Sequence, residues 1–456
     1  MNGFGSWVVH TTINFIAMLL RHAHVLLANF SALDLQRNAR RGVAAVCWLL
    51  STMLPTIPAT VSAQTVVGAK FSIASGWAGV GAASDGANFL VALESDTSSA
   101  KVAAQLMSPS GAKIGAPIAL GHDGQSCCAS GVAFDGVNYL VTWEEDQGIK
   151  NSWASLTIYG AFINTSGAQV GPTLAMTTAG VSFDGPNMLA YGGGKYLLTY
   201  TRLIVPANGD NANNRYVAGR IVAPNGALGS EFRISQGYGN GSSVGFDGTN
   251  FFVVWKEDAQ DYEVRGRFVS PTGALGQEIS INASQEPSDY PVLVDFDGAN
   301  YVIGWTDSTV DGAVSNPFAQ QVSPSGALVG GIIGGDGSVQ GRKMLIGLAF
   351  DGKNHISMIL DMTNDANRNG VCDAGEGTCW DLYGRVIGKD GALIGSKFVI
   401  DANAGHQIGG VGCAGDKCLA LVSSGIALGE GGPSQVGEVY GALLTSTTVN
   451  YTLAVA

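Results

Sequence analysis

Short apolar runs separated by Gly, Asp, Asn and Pro punctuate this chain from about residue 65 to 445, and the stretch 243–281 shows the pattern most openly. Residues 243–246 lead into Asp247-Gly248, the strongest short-range hairpin signal. Residues 251–255, Phe-Phe-Val-Val-Trp, are aromatic and β-branched and read as a second strand. A polar stretch, 256–262, separates them from a third strand over 264–269. Pro271 then fixes φ and Gly273 closes a turn into a fourth strand over 276–281. The unit predicted is a four-stranded antiparallel sheet.

That unit recurs. Phe134-Asp135-Gly136-Val137-Asn138-Tyr139 runs on to Trp143, Phe246-Asp247-Gly248-Thr249-Asn250-Phe251 to Trp255, and Phe296-Asp297-Gly298-Ala299-Asn300-Tyr301 to Trp305. With the residue before the aromatic as register mark, Asn88, Asn138, Lys195, Asn250, Asn300, Asn354 and Lys417 define seven copies at spacings of 50 to 63 residues. The third copy is disguised, its hairpin falling at Gly193-Gly194 rather than at Asp184-Gly185, and the seventh, at Gly415-Asp416, is the most degraded. Seven tandem four-stranded units predict an all-β fold, a seven-bladed β-propeller of four-stranded antiparallel blades. A β-solenoid, the other repeat fold weighed, has shorter coils without regular hairpins. Residues 66–73 match the fourth-strand stretch 393–400, so the N-terminal segment is expected to close the ring as the outer strand of the last blade; residues 450–455 compete for that place.

The phrase Phe-Asp-Gly-x-Asn-Tyr-Leu-Val-x-Trp in tandem resembles the repeats of a widespread group of secreted bacterial proteins, over about residues 65–445. The resemblance implies a propeller on or outside the cell surface, and no shared activity.

Ahead of the repeats, Arg37, Arg40 and Arg41 precede an apolar stretch, 42–54, then Pro55, Pro58 and Val61-Ser62-Ala63. This order predicts a leader, 1–63, with cleavage after Ala63, and a propeller domain, 64–456. The apolar stretch is short and broken by prolines for a permanent membrane anchor. The leader holds four of the 24 Lys and Arg and one of the 36 Asp and Glu, leaving 20 basic and 35 acidic residues, a net charge near −15. That charge opposes nucleic acid and anionic lipid as partners. With the leader the chain also loses Cys47, one of its seven cysteines, and an even number in an exported chain favours disulfides. Three local pairs are candidates: Cys413 with Cys418 around a turn, Cys372 with Cys379, and the adjacent Cys127 and Cys128.

The sharpest chemical motif lies in the longest loop between second and third strands. Asp365, Asn367, Asn369, Gly370, Asp373 and Glu376 fall in the calcium-loop pattern D-x-[DN]-x-[DN]-G-x₅-E. Oxygen ligands from Asp365, Asn367 and Asn369, the carbonyl of Val371, and the carboxylates of Asp373 and Glu376 suit Ca²⁺. The motif is similar to the loop of an EF-hand or dockerin, without evident flanking helices. The Asn-rich 208–214 lacks this spacing. Carboxylates also gather where second strands end, among them Glu94, Glu144, Glu145, Glu257, Asp307 and Asp361. They form either a solvated collar or an acidic mouth. Catalytic constellations are scarce: His122, His355 and His406 lie far apart, and the G-x-S-x-G at 241–245 enters a strand rather than a helix. The expectation is a secreted, cell-surface or periplasmic binding or adhesion module with structural Ca²⁺ and a glycan or protein ligand. The alternatives are a polysaccharide hydrolase or lyase with carboxylates paired across the mouth at the spacing of paired-carboxylate glycosidases, and a structural matrix component.

Overall fold

A computed structural model describes residues 59–451 except 95–101, 122–125, 147–155, 183–187, 205–214, 258–262, 284–291, 309–313, 335–341, 362–380, 403–409, 425–427, 430–431 and 434–436. At several strand ends, including 59–68, 126–130 and 446–451, the backbone alone is described. The chain divides into two units, one of Met1–Ser62 with Thr448–Ala456, the other of Ala63–Thr447. Of the first unit only strand residues are described. The second is a seven-bladed β-propeller, and the described residues contain no helix.

Counting strands outward from the centre, blade 4 comprises Gly239–Phe246, Phe251–Glu257, Glu263–Val269 and Leu275–Ala283, each antiparallel to the next. Blades 1, 2, 5 and 6 repeat this order. In blade 3 the inner strand is split into Val181–Ser182 and Leu189–Gly192, both paired to Lys195–Leu203, as the displaced hairpin implied. Blade 7 takes three strands from the end of the chain, Val411–Ala414, Lys417–Ser424 and Glu438–Tyr451, and its outer strand, Ala59–Ser75, from the beginning. The N-terminal segment therefore closes the ring, and Asn450 and Tyr451, the described part of the competing stretch, belong to the third strand. Lys70 on the closing strand meets Asp401 on the outer strand of blade 6 at 2.8 Å.

Seven apolar clusters hold the ring, one between each pair of neighbouring blades. At the closure, Leu419, Leu421, Val439 and Ile73 of blade 7 pack on Phe89 and Val91 of blade 1. Burial is thus mostly between blades, so a single blade has no core of its own and stability comes from the closed ring.

The repeated motif serves both the hairpin and the next blade. In five copies the Asp carboxylate accepts the backbone N–H groups two and three residues on, as Asp247 does from Thr249 and Asn250 at 2.7 Å each. The following glycine has φ near +90°, 94° at Gly248, which a side chain at this position would strain. The motif tyrosine then reaches back one blade. Tyr301 donates to the carbonyl of Asn250 at 3.1 Å, and Tyr196 to that of Asn138 at 3.2 Å. Burial, then the nearby Asp247 and Asp135 charges, hold both phenols well above their ordinary range, so they remain donors. Tyr301→Phe leaves the Asn250 carbonyl without this donor and should cost about 1 kcal/mol in urea unfolding. An unchanged midpoint would count the hydroxyl as idle.

A second recurrence lies in the third strands. Gly160, Gly219, Gly266, Gly384 and Gly441 each stand where a Cβ would overlap a large side chain: Met176, Ile234, Phe398 and Phe71 from the outer strand or its end, and Phe252 from the second strand at Gly266. These glycines let the outer strand pack its apolar residues directly on the backbone.

Candidate functional site

Because strands alternate in direction, second-to-third loops and the connections entering each blade share one face, and the Asp-Gly and Pro-x-Gly turns share the other. The predicted calcium ligands, Asp365, Asn367, Asn369, Val371, Asp373 and Glu376, lie with Cys372 and Cys379 outside the described residues. Their loop joins the second and third strands of blade 6, whose ends are paired at Asp361 and Asp381. Cys127 and Cys128 lie in the inner strand of blade 2, where only the backbone is described. Cys413 and Cys418 face each other across the blade 7 hairpin and are joined by a disulfide.

The strand-end carboxylates are held by their own blades. In a strand, residues two apart share a face, so Trp143 donates its indole N–H to Glu145 at 2.7 Å and Trp305 to Asp307 at 3.1 Å. Glu257, two residues after Trp255, is in ionic contact with Arg265, which also meets Glu263 at 2.6 Å. Burial raises the Glu257 pKa; Arg265 opposes, and Glu278 and Glu263 add to the rise. In blade 3, Arg202 occupies the matching position and pairs with Glu231, which Tyr200 also contacts at 2.8 Å. Burial pushes the Glu231 carboxyl up, but hydrogen bonds from Arg202 and Tyr200 outweigh it and leave the pKa lowered. Asp361 accepts from Lys397 at 3.2 Å. Glu144 and Glu145 are 2% and 3% exposed, so these groups are an internal belt that ties the strand ends rather than a solvated collar.

The inner strands enclose a central cavity of about 240 Å³, bordered by Leu189, Val244, Val294, Asp295, Leu348 and Val411 among others. Inner-strand edges have no strand on their central side, so this space is lined largely by backbone polar groups. Asp295 is the ionisable side chain among its lining residues. Burial pushes its pKa up to about 7 against the stabilising N–H groups of Phe296 and Phe350, and the Asp297 charge adds to the rise. Nothing in the sequence pattern singled out Asp295.

This arrangement offers one carboxylate in a polar well and no nucleophile beside a base among the described residues. Of the three histidines after the expected leader, His355 is described and is fully buried. Ser243 of the G-x-S-x-G stretch is buried within the inner strand of blade 4, without the exposed elbow that nucleophilic attack requires. Among the described residues no three of His, Cys, Asp and Glu converge as metal ligands, and no helix is long and apolar enough to cross a membrane.

No protein-family description and no curated protein matches the chain. Solved structures do. The WD40 repeats of RRP9 superpose with a TM-score of 0.50 at 11% identity, covering 85% of this chain and 100% of that one. A protein of unknown function from Dyadobacter fermentans gives 0.46 at 9% identity, over 84% and 99% of the two chains. A subtype N10 neuraminidase-like protein of A/little yellow-shouldered bat/Guatemala gives 0.42 at 10% identity, over 84% and 100%. At such identities the likeness to the WD40 repeats concerns the fold alone.

Proposed function

We propose that this chain is an exported binding module, with a surface glycan or protein as ligand, contacted through the second-to-third loops, and with Ca²⁺ stiffening the loop 365–376. The observation that carries the reading is the occupied carboxylate belt. Glu145, Glu257, Asp307 and Asp361 bind indole, Arg or Lys of their own blades. Recognition then falls to the loops beyond them, which differ from blade to blade in length and sequence. Export is supported by the Cys413–Cys418 disulfide, since such bonds persist in oxidising compartments. The calcium reading is supported by the pairing of Asp361 with Asp381, which brings the ends of that loop together as a chelating loop requires.

Titration calorimetry with CaCl₂ should give a dissociation constant on the order of 10⁻⁵–10⁻³ M, the range from sensors to extracellular modules. Glu376→Ala removes the bidentate ligand and should abolish the heat. No heat at millimolar Ca²⁺, or unchanged binding by the variant, would sink the calcium site. A glycan array read with and without Ca²⁺, followed by reducing-sugar release on any hit, sorts a binder from a hydrolase.

A further inference from the structure

The outer strand of each blade is a sheet edge, and among the described residues no further strand pairs with it. Such edges are ordinarily blunted by charge or proline, which hinder the addition of a second strand. Six of the seven follow that rule. Two positions after a shared glycine, as Glu278 follows Gly276, stand Pro117, Thr173, Glu231, Glu278, Lys397 and Lys70, in blades 1, 2, 3, 4, 6 and 7. Blade 2 adds Pro172 beside its threonine. In blade 5 the same position is Ile332, and the strand Leu328–Ile333, Leu-Val-Gly-Gly-Ile-Ile, holds neither proline nor charge.

The charged members at this position are held by ion pairs, Glu231 with Arg202, Lys397 with Asp361 and Lys70 with Asp401. Ile332 is instead 52% exposed, and Leu328, four residues earlier, is 49% exposed. Between them lie Gly330 and Gly331, where an added Cβ would meet open space. The outer half of the blade, residues 314–334, contains no charged side chain. Blade 2 is equally free of charge over 156–176, but it keeps its proline at the edge.

A second copy of this chain is the occupant these residues fit. The chain carries a net charge of −12, so two copies repel over most of their surface and meet with least repulsion where charge is absent. The strand is also self-complementary. Leu328 and Ile332 stand two residues either side of Gly330, so a two-fold axis at Gly330 sets Leu328 of each copy opposite Ile332 of the other. No side chain stands at that axis to hold the backbones apart. Gly330 has φ 67° and the register shifts beside it, a bulge that keeps any new ladder short.

We propose that the outer edge of blade 5 is a homodimer interface, in which Leu328–Ile333 lies antiparallel to the same strand of a second copy across a two-fold axis. Leu328 and Ile332 of each copy leave water together, and the short strands share backbone hydrogen bonds. This contact is smaller than the roughly 800 Å² per partner of a standard specific interface, so the dimer is weak and reversible. Its dissociation constant is expected on the order of 10⁻⁵–10⁻⁴ M. The edge belongs to the outermost strand rather than to the loop face, so the dimer stands or falls separately from ligand binding at the loops.

Sedimentation velocity of the purified chain, at concentrations from about tenfold below to about tenfold above that range, tests it. The wild type should pass reversibly from monomer to dimer and no further. Ile332→Lys gives blade 5 the residue that blades 6 and 7 carry at this position, and it should weaken the dimer at least about tenfold. Val399→Lys, at an aliphatic side chain 48% exposed on the outer strand of blade 6, should leave the dimer unchanged. Both positions are exposed, and melting temperatures within about 2 °C of wild type verify that each variant is folded. A monomer at every concentration overturns the proposal and leaves the edge to a strand of another protein. Undiminished association of Ile332→Lys, or equal loss in both lysine variants, would overturn it too. So would growth beyond the dimer, because a two-fold contact closes on itself.

Discussion

Trp143→Ala should lower the free energy of unfolding by about 3–5 kcal/mol, the range for removing a large aromatic ring from a packed interior. Trp143 is fully buried between blades 1 and 2, with Val80, Leu90 and Val102 of blade 1 and Tyr139 and Val141 of blade 2 in the same cluster. Its ring stacks on Tyr159 at 6.5 Å between centroids, and its N–H anchors the buried Glu145. Truncation opens a cavity in one of the apolar clusters between blades, and it takes a donor from a buried carboxylate. Trp143→Phe separates the two effects, since it keeps most of the apolar ring and loses only the donor; its cost should be nearer 1–3 kcal/mol. Urea unfolding followed by circular dichroism measures both. A loss below about 1 kcal/mol for the alanine variant would mean that neighbouring blades relax into the space, and that the interface is softer than its burial implies.

The hairpin and the strand order were legible because Asp-Gly and Pro-x-Gly are local signals, complete within a few residues. The tyrosine bond was not, because Tyr301 meets Asn250, 51 residues earlier in the preceding blade. Only the ring geometry brings these positions together. The belt of carboxylates was half legible. Their place after each Trp was plain, and the two-residue period of a strand puts Trp143 and Glu145 on one face. That the indole N–H would consume the carboxylate followed from burial, which composition does not report. The sequence pattern did not single out the third-strand glycines, yet Gly384 and Gly219 serve close packing. Asp295 went unnoticed because a single acid in an inner strand has no sequence signature, and its meaning comes from the cavity that inner strands of separate blades line.

Replacing His355 by tyrosine should flatten the acid limb of the stability profile. His355 stands where other blades carry Tyr139, Tyr196 and Tyr301. It is fully buried, its ring 5.2 Å from that of Phe350, and neither ring nitrogen makes a well-formed hydrogen bond, the Asp295 carbonyl being a weak acceptor at hand. Burial is the main reason its pKa is pushed down to about 4; Asp297 opposes, Lys389 adds to the fall, and the Asp295 carbonyl opposes. Lys389 is held there by donating to the Asp297 carbonyl at 2.6 Å. With a folded pKa below the unfolded one of 6.5, the unfolded chain binds the proton first as pH falls. Native stability is therefore lost on acidification between pH 6.5 and about 4, by about 3 kcal/mol, and changes no further below that. Asp295 acts in the opposite sense: its folded pKa of about 7 lies above the carboxylate value, so its contribution is present at low pH and is lost as pH rises toward 7. The wild-type curve alone mixes the two, but the difference between His355→Tyr and wild type removes most of the Asp295 contribution. That difference should favour the variant increasingly from pH 8 to pH 4, by about 2–3 kcal/mol. His355→Phe, which follows Phe89 and Phe251 at the same place in blades 1 and 4, should show the same slope without the new hydroxyl. A difference that stays constant across this range in both variants would mean that His355 titrates alike in the folded and the unfolded chain, the Asp297 charge offsetting its burial.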